Sequence, residues 1–510
     1  MNNSLSHSQS HASANRSAIR RAARWYAIFL ASCAACILLL TAPGFGQTKS
    51  EPDSVGELRR MVEAQQRIIE EQQRRLEALE KRLDPQISRE PIAVSARYPV
   101  APEPVPSASP VGNQPTPATP AQAQPGKEII RDGFGIKFYG FLRGDLEADS
   151  RRMSFDSQLP FFVLSPADPS QAAKRTGNLT IHPRLTRFGF DLTPPPLGNG
   201  WTAAGKLEID FFNTIIDRPA AGGPLARDLV SNSRAAPRIR LAYVQLKKED
   251  FSLLAGQYWD VISPLYPSYN ADVLMWNAGN PGDRRPQIRL SYEPKIGKGR
   301  LSVAGEVGAS GAVDGQDLDG DGFRDGETAV APTVQLRVGY SRPLAGQTFA
   351  VGAWGHFAEQ QLNRSFIAGK GEFDSSLAGV DITIPILRSL SFKGEVWKGK
   401  GLSDVRGGIG QSVNVGNGRV IDAAGGWAEL SYTFNSHYTA ALGTTLDNPD
   451  SDDITAANGR IRNRAHYMTN RFTVAHGFSF GLDYGNWQTK YKALPLGNNN
   501  RFNLFVQQSF

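Results

Sequence analysis

The run Asp317–Glu327, DLDGDGFRDGE, is the sharpest local motif in the chain. Asp317, Asp319 and Asp321 alternate, Gly322 supplies the tight turn, and Asp325 takes the ninth position of a calcium-loop pattern. Glu327 falls one place short of the usual bidentate twelfth ligand. Carboxylates this close repel one another unless a hard cation joins them. The motif therefore predicts a structural Ca²⁺ in an outer loop, with no cofactor required elsewhere. A second set of charges is spread along the chain: Arg143, Arg187, Lys206, Arg240, Arg289 and Arg337. A guanidinium offers a fixed fork to a carboxylate and stays charged at any physiological pH. Asp145, Glu147, Asp191, Glu208 and Asp210 share the same stretches, so internal pairing competes with solute binding.

Other motifs carry no chemistry. GWTAAGKL (Gly200–Leu207) imitates a phosphate-binding loop, but Leu207 stands where Ser or Thr is needed, on a segment with strand alternation. The seven His are scattered without metal-ligand spacing, and nothing resembles a nucleophile elbow. No enzyme activity is expected.

The elements that must position these charges alternate with period two. In IKFYGFLRGDLEAD, Ile136, Phe138, Gly140, Leu142 and Leu146 take one face; Lys137, Tyr139, Arg143, Asp145 and Glu147 take the other. WTAAGKLEIDFF, LSVAGEVGA, TVQLRVGYS and AELSYTF read alike. Segments of about ten residues, apolar on one face and charged on the other, suit a transmembrane barrel around a wet lumen. Long connections, at roughly 148–178, 213–237, 261–285, 310–331, 360–372, 399–423, 446–462 and 491–499, alternate with short ones such as KKED, RPLAG and HG. The fold predicted is all-β: an antiparallel barrel over 131–510 of about sixteen strands, a size that leaves a channel. The ending RFNLFVQQSF has the aromatic terminus of an outer-membrane assembly signal, with Gln508 where an apolar residue is usual.

The preceding quarter of the chain reads differently. Four Arg, the apolar run Trp25–Leu40 and small residues up to Gly46 predict a signal peptide over 1–46. A lipoprotein-type cut before Cys33 is the rival. Both Cys lie in that leader. Over 55–84 a heptad register places Val55, Val62, Ile69, Leu76 and Leu83 at a, and Leu58, Gln65, Gln72 and Leu79 at d. That is a coiled coil about 45 Å long at 1.5 Å per residue, read as a periplasmic trimer with a dimer as the alternative. The Pro- and Ala-rich stretch over 85–130 is a linker. The net charge of +7 follows no helical face, so nucleic acid is not an expected partner.

GIKFYGFLRGDLEAD, RFGFDLTPP and LLAGQYWDVISPLYP, behind an N-terminal coiled coil, resemble the DcaP-like trimeric outer-membrane porins of Gram-negative bacteria. The resemblance implies a homotrimer in outer-membrane lipid and lipopolysaccharide, and passive uptake of small anions such as dicarboxylates. It also implies an inward third loop carrying Asp260, Asp272, Asp283, Arg284 and Arg285 as a constriction. Tyr266, Tyr269, Met275 and Trp276 would pack that loop on the wall. The alternative is a structural anchor whose coil ties the barrel to the cell wall.

Overall fold

The computed structural model describes residues 128–510 without Asp132, 155–160, 169–176, 215–234, 271–273, Asp321 and 363–370. The leader, the heptad run and the linker up to 127 lie outside the described residues, as do Asp272 and Asp321. Sixteen long strands close into one antiparallel barrel. The first is β1 (Phe134–Asp149), followed by β2 in two pieces, Asn178–His182 and Arg187–Thr193, both paired with β1. Next come β3 (Thr202–Thr214), β4 (Ala235–Lys248), β5 (Phe251–Trp259) and β6 (Arg284–Tyr292). They lead to β7 (Gly299–Gly308), β8 (Thr333–Leu344), β9 (Gln347–Gln361) and β10 (Glu372–Pro385). The circuit continues through β11 (Leu390–Lys400), β12 (Asp422–Asn435) and β13 (Tyr438–Pro449). It ends with β14 (Arg460–Ala475), β15 (Phe478–Tyr491) and β16 (Gly497–Ser509). Pairing of β16 with β1, Leu504 opposite Leu146, closes the ring and removes both sheet edges. A short strand, Glu128–Arg131, precedes β1 and folds back on its first residues.

The two faces of this sheet invert the rule for soluble proteins. Leu142, Ile181, Ile288, Leu336, Val396 and Leu442 stand exposed on the outside, whereas Asp145, Glu208, Asp210, Arg240, Glu306 and Glu395 are buried within. Among the described residues no helix is long and apolar enough to cross a membrane, a fact that leaves strands untouched. The C-terminal segment zips onto β1 through Gly140 and Phe510, whose amides donate to each other's carbonyls at 3.2 and 3.1 Å. Gln508, the departure from the apolar pattern, donates its side-chain amide to His476 O at 2.9 Å in the β14–β15 turn.

Apolar packing occurs where long loops meet the inner wall. Met153 and Val163 from the β1–β2 loop join Tyr269 and Met275 from the β5–β6 loop against Tyr467 and Trp487. Leu402 and Val405 from the β11–β12 loop join Ile262 against Trp354 and Trp397. Each fully buried side chain of this kind contributes about 1.5–3 kcal/mol. Glycine makes room for one of them: a Cβ on Gly485 of β15 would lie 2.7 Å from the Tyr269 hydroxyl.

Candidate functional site

The β5–β6 loop is held along the inner wall by its own amides. Val261 N donates to Glu306 of β7 at 3.1 Å, and Ile262 N to Gln335 of β8 at 3.4 Å. Leu265 N reaches Glu395 of β11 at 2.8 Å, Ser268 N reaches Glu429 of β12 at 2.6 Å, and Asn270 N reaches Asp483 of β15 at 2.7 Å. The Asn270 side chain then donates to Asp145 of β1 at 2.9 Å and to Asn503 of β16 at 2.7 Å. Charge-assisted bonds from backbone N–H to carboxylate are about twice as strong as neutral ones. In this way 261–270 is strapped to seven strands. Tyr266, Tyr269, Met275 and Trp276 are all buried in this strap and its return. On the return, Gly279 N–Cα lies so close to β12 and β13 that a Cβ would sit 2.4 Å from Gly426 O.

The loop's charged ends meet other loops. Asp260 accepts Arg285 at 2.7 Å, and Arg285 also reaches Asp404 of the β11–β12 loop at 2.9 Å. Arg285 has 0% exposure, so it acts as an internal cross-link. Asp283 pairs with Arg406 at 2.9 Å and with Arg284 at 3.4 Å. Burial works against the Asp283 carboxylate, but Arg406 and Arg284 beside it hold its pKa below the usual range.

Every cation expected on the lumen face meets a carboxylate. Arg143 pairs with Asp145 at 2.8 Å, Lys206 with Asp191 at 2.6 Å, Arg289 with Glu306 at 3.0 Å and Arg337 with Asp381 at 2.8 Å. Arg240 binds Glu208 at 2.8 Å and Asp210 at 2.7 Å, while Arg187 approaches Glu208 at 3.6 Å. Arg238 shares Asp210 at 2.8 Å. Taken with Asp283, this cluster sets, among the described residues, the guanidiniums of Arg187, Arg238, Arg240, Arg284 and Arg406 against three carboxylates. Aromatic faces hold the surplus: Arg284 lies 4.7 Å from the Trp259 ring centre, Arg238 4.8 Å from Phe212, and Arg406 5.1 Å from Trp276. Arg238 and Arg406 were not among the expected lumen cations. Arg238 shares the face of Arg240 by alternation and was legible; Arg406 sits in a loop, at φ 62°, with no periodic signal.

The β7–β8 loop gathers Asp317, Asp319 and Asp325, with one oxygen of each within 4.8 Å of the others. Three converging hard oxygens fit a hard cation. Burial, reinforced by Asp319, Asp314 and Asp317, pushes the Asp325 pKa up to about 7 although the Leu318 amide opposes it. Glu327 turns away and pairs with Arg324.

A closed sixteen-stranded barrel with a charged interior and loops drawn inside has the architecture of the outer-membrane channels. Among solved structures it is similar to the outer membrane channel DcaP of Acinetobacter baumannii, with a TM-score of 0.56 and 17% identity over 76% of this chain and 100% of that one. The anion-selective porin from Comamonas acidovorans (TM-score 0.47, 12% identity, 74% of this chain and 100% of that chain) and Salmonella typhi OmpF in complex with daunomycin (0.47, 13%, 75% and 100%) lie further off. At these identities the likeness concerns the fold. No family model and no curated protein matches the sequence.

Proposed function

We propose that the protein is an outer-membrane porin for passive diffusion of small, preferably anionic solutes, dicarboxylates among them. The observation that carries this reading is the surplus of five guanidiniums over three carboxylates around Glu208, Asp210 and Asp283. Fixed positive charge on a low-dielectric wall concentrates anions, and the effect fades as salt rises. The strap of 261–270 supports its role as the constriction, since it runs inside the barrel, and the loop's return leads to Arg284 of the cluster at the start of β6. The heptad run over 55–84 supports a homotrimer, and the convergence of Asp317, Asp319 and Asp325 supports a structural Ca²⁺. Reversal potentials across planar bilayers in a KCl gradient test the central claim. Wild-type channels should prefer chloride, and the Arg187→Gln/Arg238→Gln variant should shift toward zero. A wild-type preference for potassium would end the anionic reading.

A further inference from the structure

Inside the barrel each expected cation has a carboxylate; on the outer wall a row of basic residues has none. Lys398 of β11, Arg462 of β14 and Lys490 of β15 form no ion pair and no side-chain hydrogen bond among the described residues. The ladder lines them up. Lys398 pairs with Ala424, Ala424 with Asn448, and Arg462 with Lys490, while Asn448 and Arg462 lie one step past the Asp447–Asn463 pair. Their chain neighbours Trp397, Ala423, Asp447, Asn463 and Thr489 are all buried inside, so this row faces outward. A register shift between Arg460 and Arg462 lets Arg460 reach Ile409 O within the barrel at 3.0 Å while Arg462 points out. Re-aiming a side chain in this way is what a bulge does.

Because Ala424 is small, the row is dented in the middle. The resulting cavity measures about 460 Å³ and is flanked by Lys398 on one side and by Arg462 and Lys490 on the other. Asp422 and Asp450 form its upper lip beside the long loops. One row below, Val396 and Leu446 are exposed and apolar on β11 and β13, while on β14 and β15 Arg464 donates to Gln488 at 3.0 Å. The cavity therefore sits where the apolar band gives way to the outer loops.

We propose that this cavity binds the phosphorylated sugar headgroup of an outer-leaflet glycolipid, an inference that rests on the outer-membrane placement above. Lysine ammonium groups and an arginine fork suit phosphate oxygens. Asn448 and the two lip carboxylates suit sugar hydroxyls, and the exposed Val396 and Leu446 lie where acyl chains would follow. A free phosphate would use the cations alone; the exposed Val396 and Leu446 and the hydroxyl acceptors favour the lipid.

The test titrates the purified full chain in detergent with bisphosphorylated lipid A, and with the same lipid lacking phosphates, read by native mass spectrometry. The variant Lys398→Gln/Arg462→Gln/Lys490→Gln should bind bisphosphorylated lipid A about tenfold more weakly or worse. The charge-preserving Lys398→Arg/Arg462→Lys/Lys490→Arg variant should retain binding, which controls for misfolding. The dephosphorylated lipid should not distinguish the proteins. Equal lipid A binding by wild type and the Gln variant overturns the proposal. So does full displacement by millimolar inorganic phosphate, which would mark a plain anion site. A Gln variant that loses subunits yet keeps lipid A overturns it in favour of a contact between copies of the chain. The row lies outside the lumen, so single-channel conductance should match wild type; absence of any conductance would instead defeat the porin reading and leave the lipid result standing.

Discussion

The lumen has two walls built from the same residue types for different ends. On β2 to β6, carboxylates face guanidiniums: Glu208 and Asp210 are shared among Arg187, Arg238 and Arg240. On β7 and β11 to β15, carboxylates also hold main chain: Glu306, Glu395, Glu429 and Asp483 accept amides of 261–270, and all but Glu395 carry a single cation each, Arg289, Lys393 and Arg471. An acid shared among several guanidiniums moderates positive charge without cancelling it, whereas an acid matched by one cation is neutralised and its remaining lone pairs hold the loop. Counting acids and bases along the strands cannot separate these roles; their partners do.

The largest loss is expected at the cross-link that joins the two sides. Arg285→Leu leaves Asp260 and Asp404 buried without their cation, and Asp404 also holds Gly311 N at 3.0 Å and Val313 N at 2.9 Å. Removing one partner of a buried pair costs about 3–5 kcal/mol. The denaturant midpoint of the refolded protein should fall accordingly, and a midpoint equal to wild type would show that the three loops are not joined there. A smaller effect is expected on the amide-bonding wall. Glu429→Gln keeps an acceptor for Ser268 N and the Tyr467 hydroxyl but weakens the charge-assisted bonds to Ser268 and the pair with Lys393, a loss of about 1–3 kcal/mol. The strap should loosen, seen as faster hydrogen exchange over 261–270 and a larger single-channel conductance. Ion selectivity should change less than in Arg187→Gln/Arg238→Gln. If selectivity moves more than conductance, the division of labour between the walls is wrong.

The barrel itself was legible because membrane strands must alternate and their turns must alternate in length. The expected connection 399–423 corresponds to the observed 401–421, for example, and 310–331 to 309–332. The site was less legible. Arg187 and Arg240 sit on one face by period two, but their sharing of Glu208 depends on register across β2, β3 and β4. A bend at Pro183, whose carbonyl accepts the Thr186 amide at 2.9 Å, splits β2 just before Arg187 and shifts the phase of alternation, so that His182 and Arg187 both meet lumen acids. Asp404 and Arg406 come from a loop with no repeating pattern. Their burial depends on a turn with Arg406 and Ile409 at positive φ, which their residue types do not announce.

The mildest test concerns the β7–β8 loop, which is neither wall. With its folded pKa near 7, Asp325 keeps its proton in the folded loop and loses it at about pH 4 when unfolded. The unfolded loop then binds fewer protons between those values, so loop stability is full below about pH 4 and declines as pH rises to about 7. Hydrogen-exchange protection of 314–328 should follow that decline without calcium. Millimolar Ca²⁺ should restore protection at pH 7.5 by neutralising the cluster of Asp317, Asp319 and Asp325, and Asp325→Asn should flatten the pH dependence while weakening the calcium response. Protection that ignores both pH and Ca²⁺ would reduce the motif to surface acid. The whole effect stays local, because the strands that flank the loop are closed into the barrel by pairs the cluster does not touch.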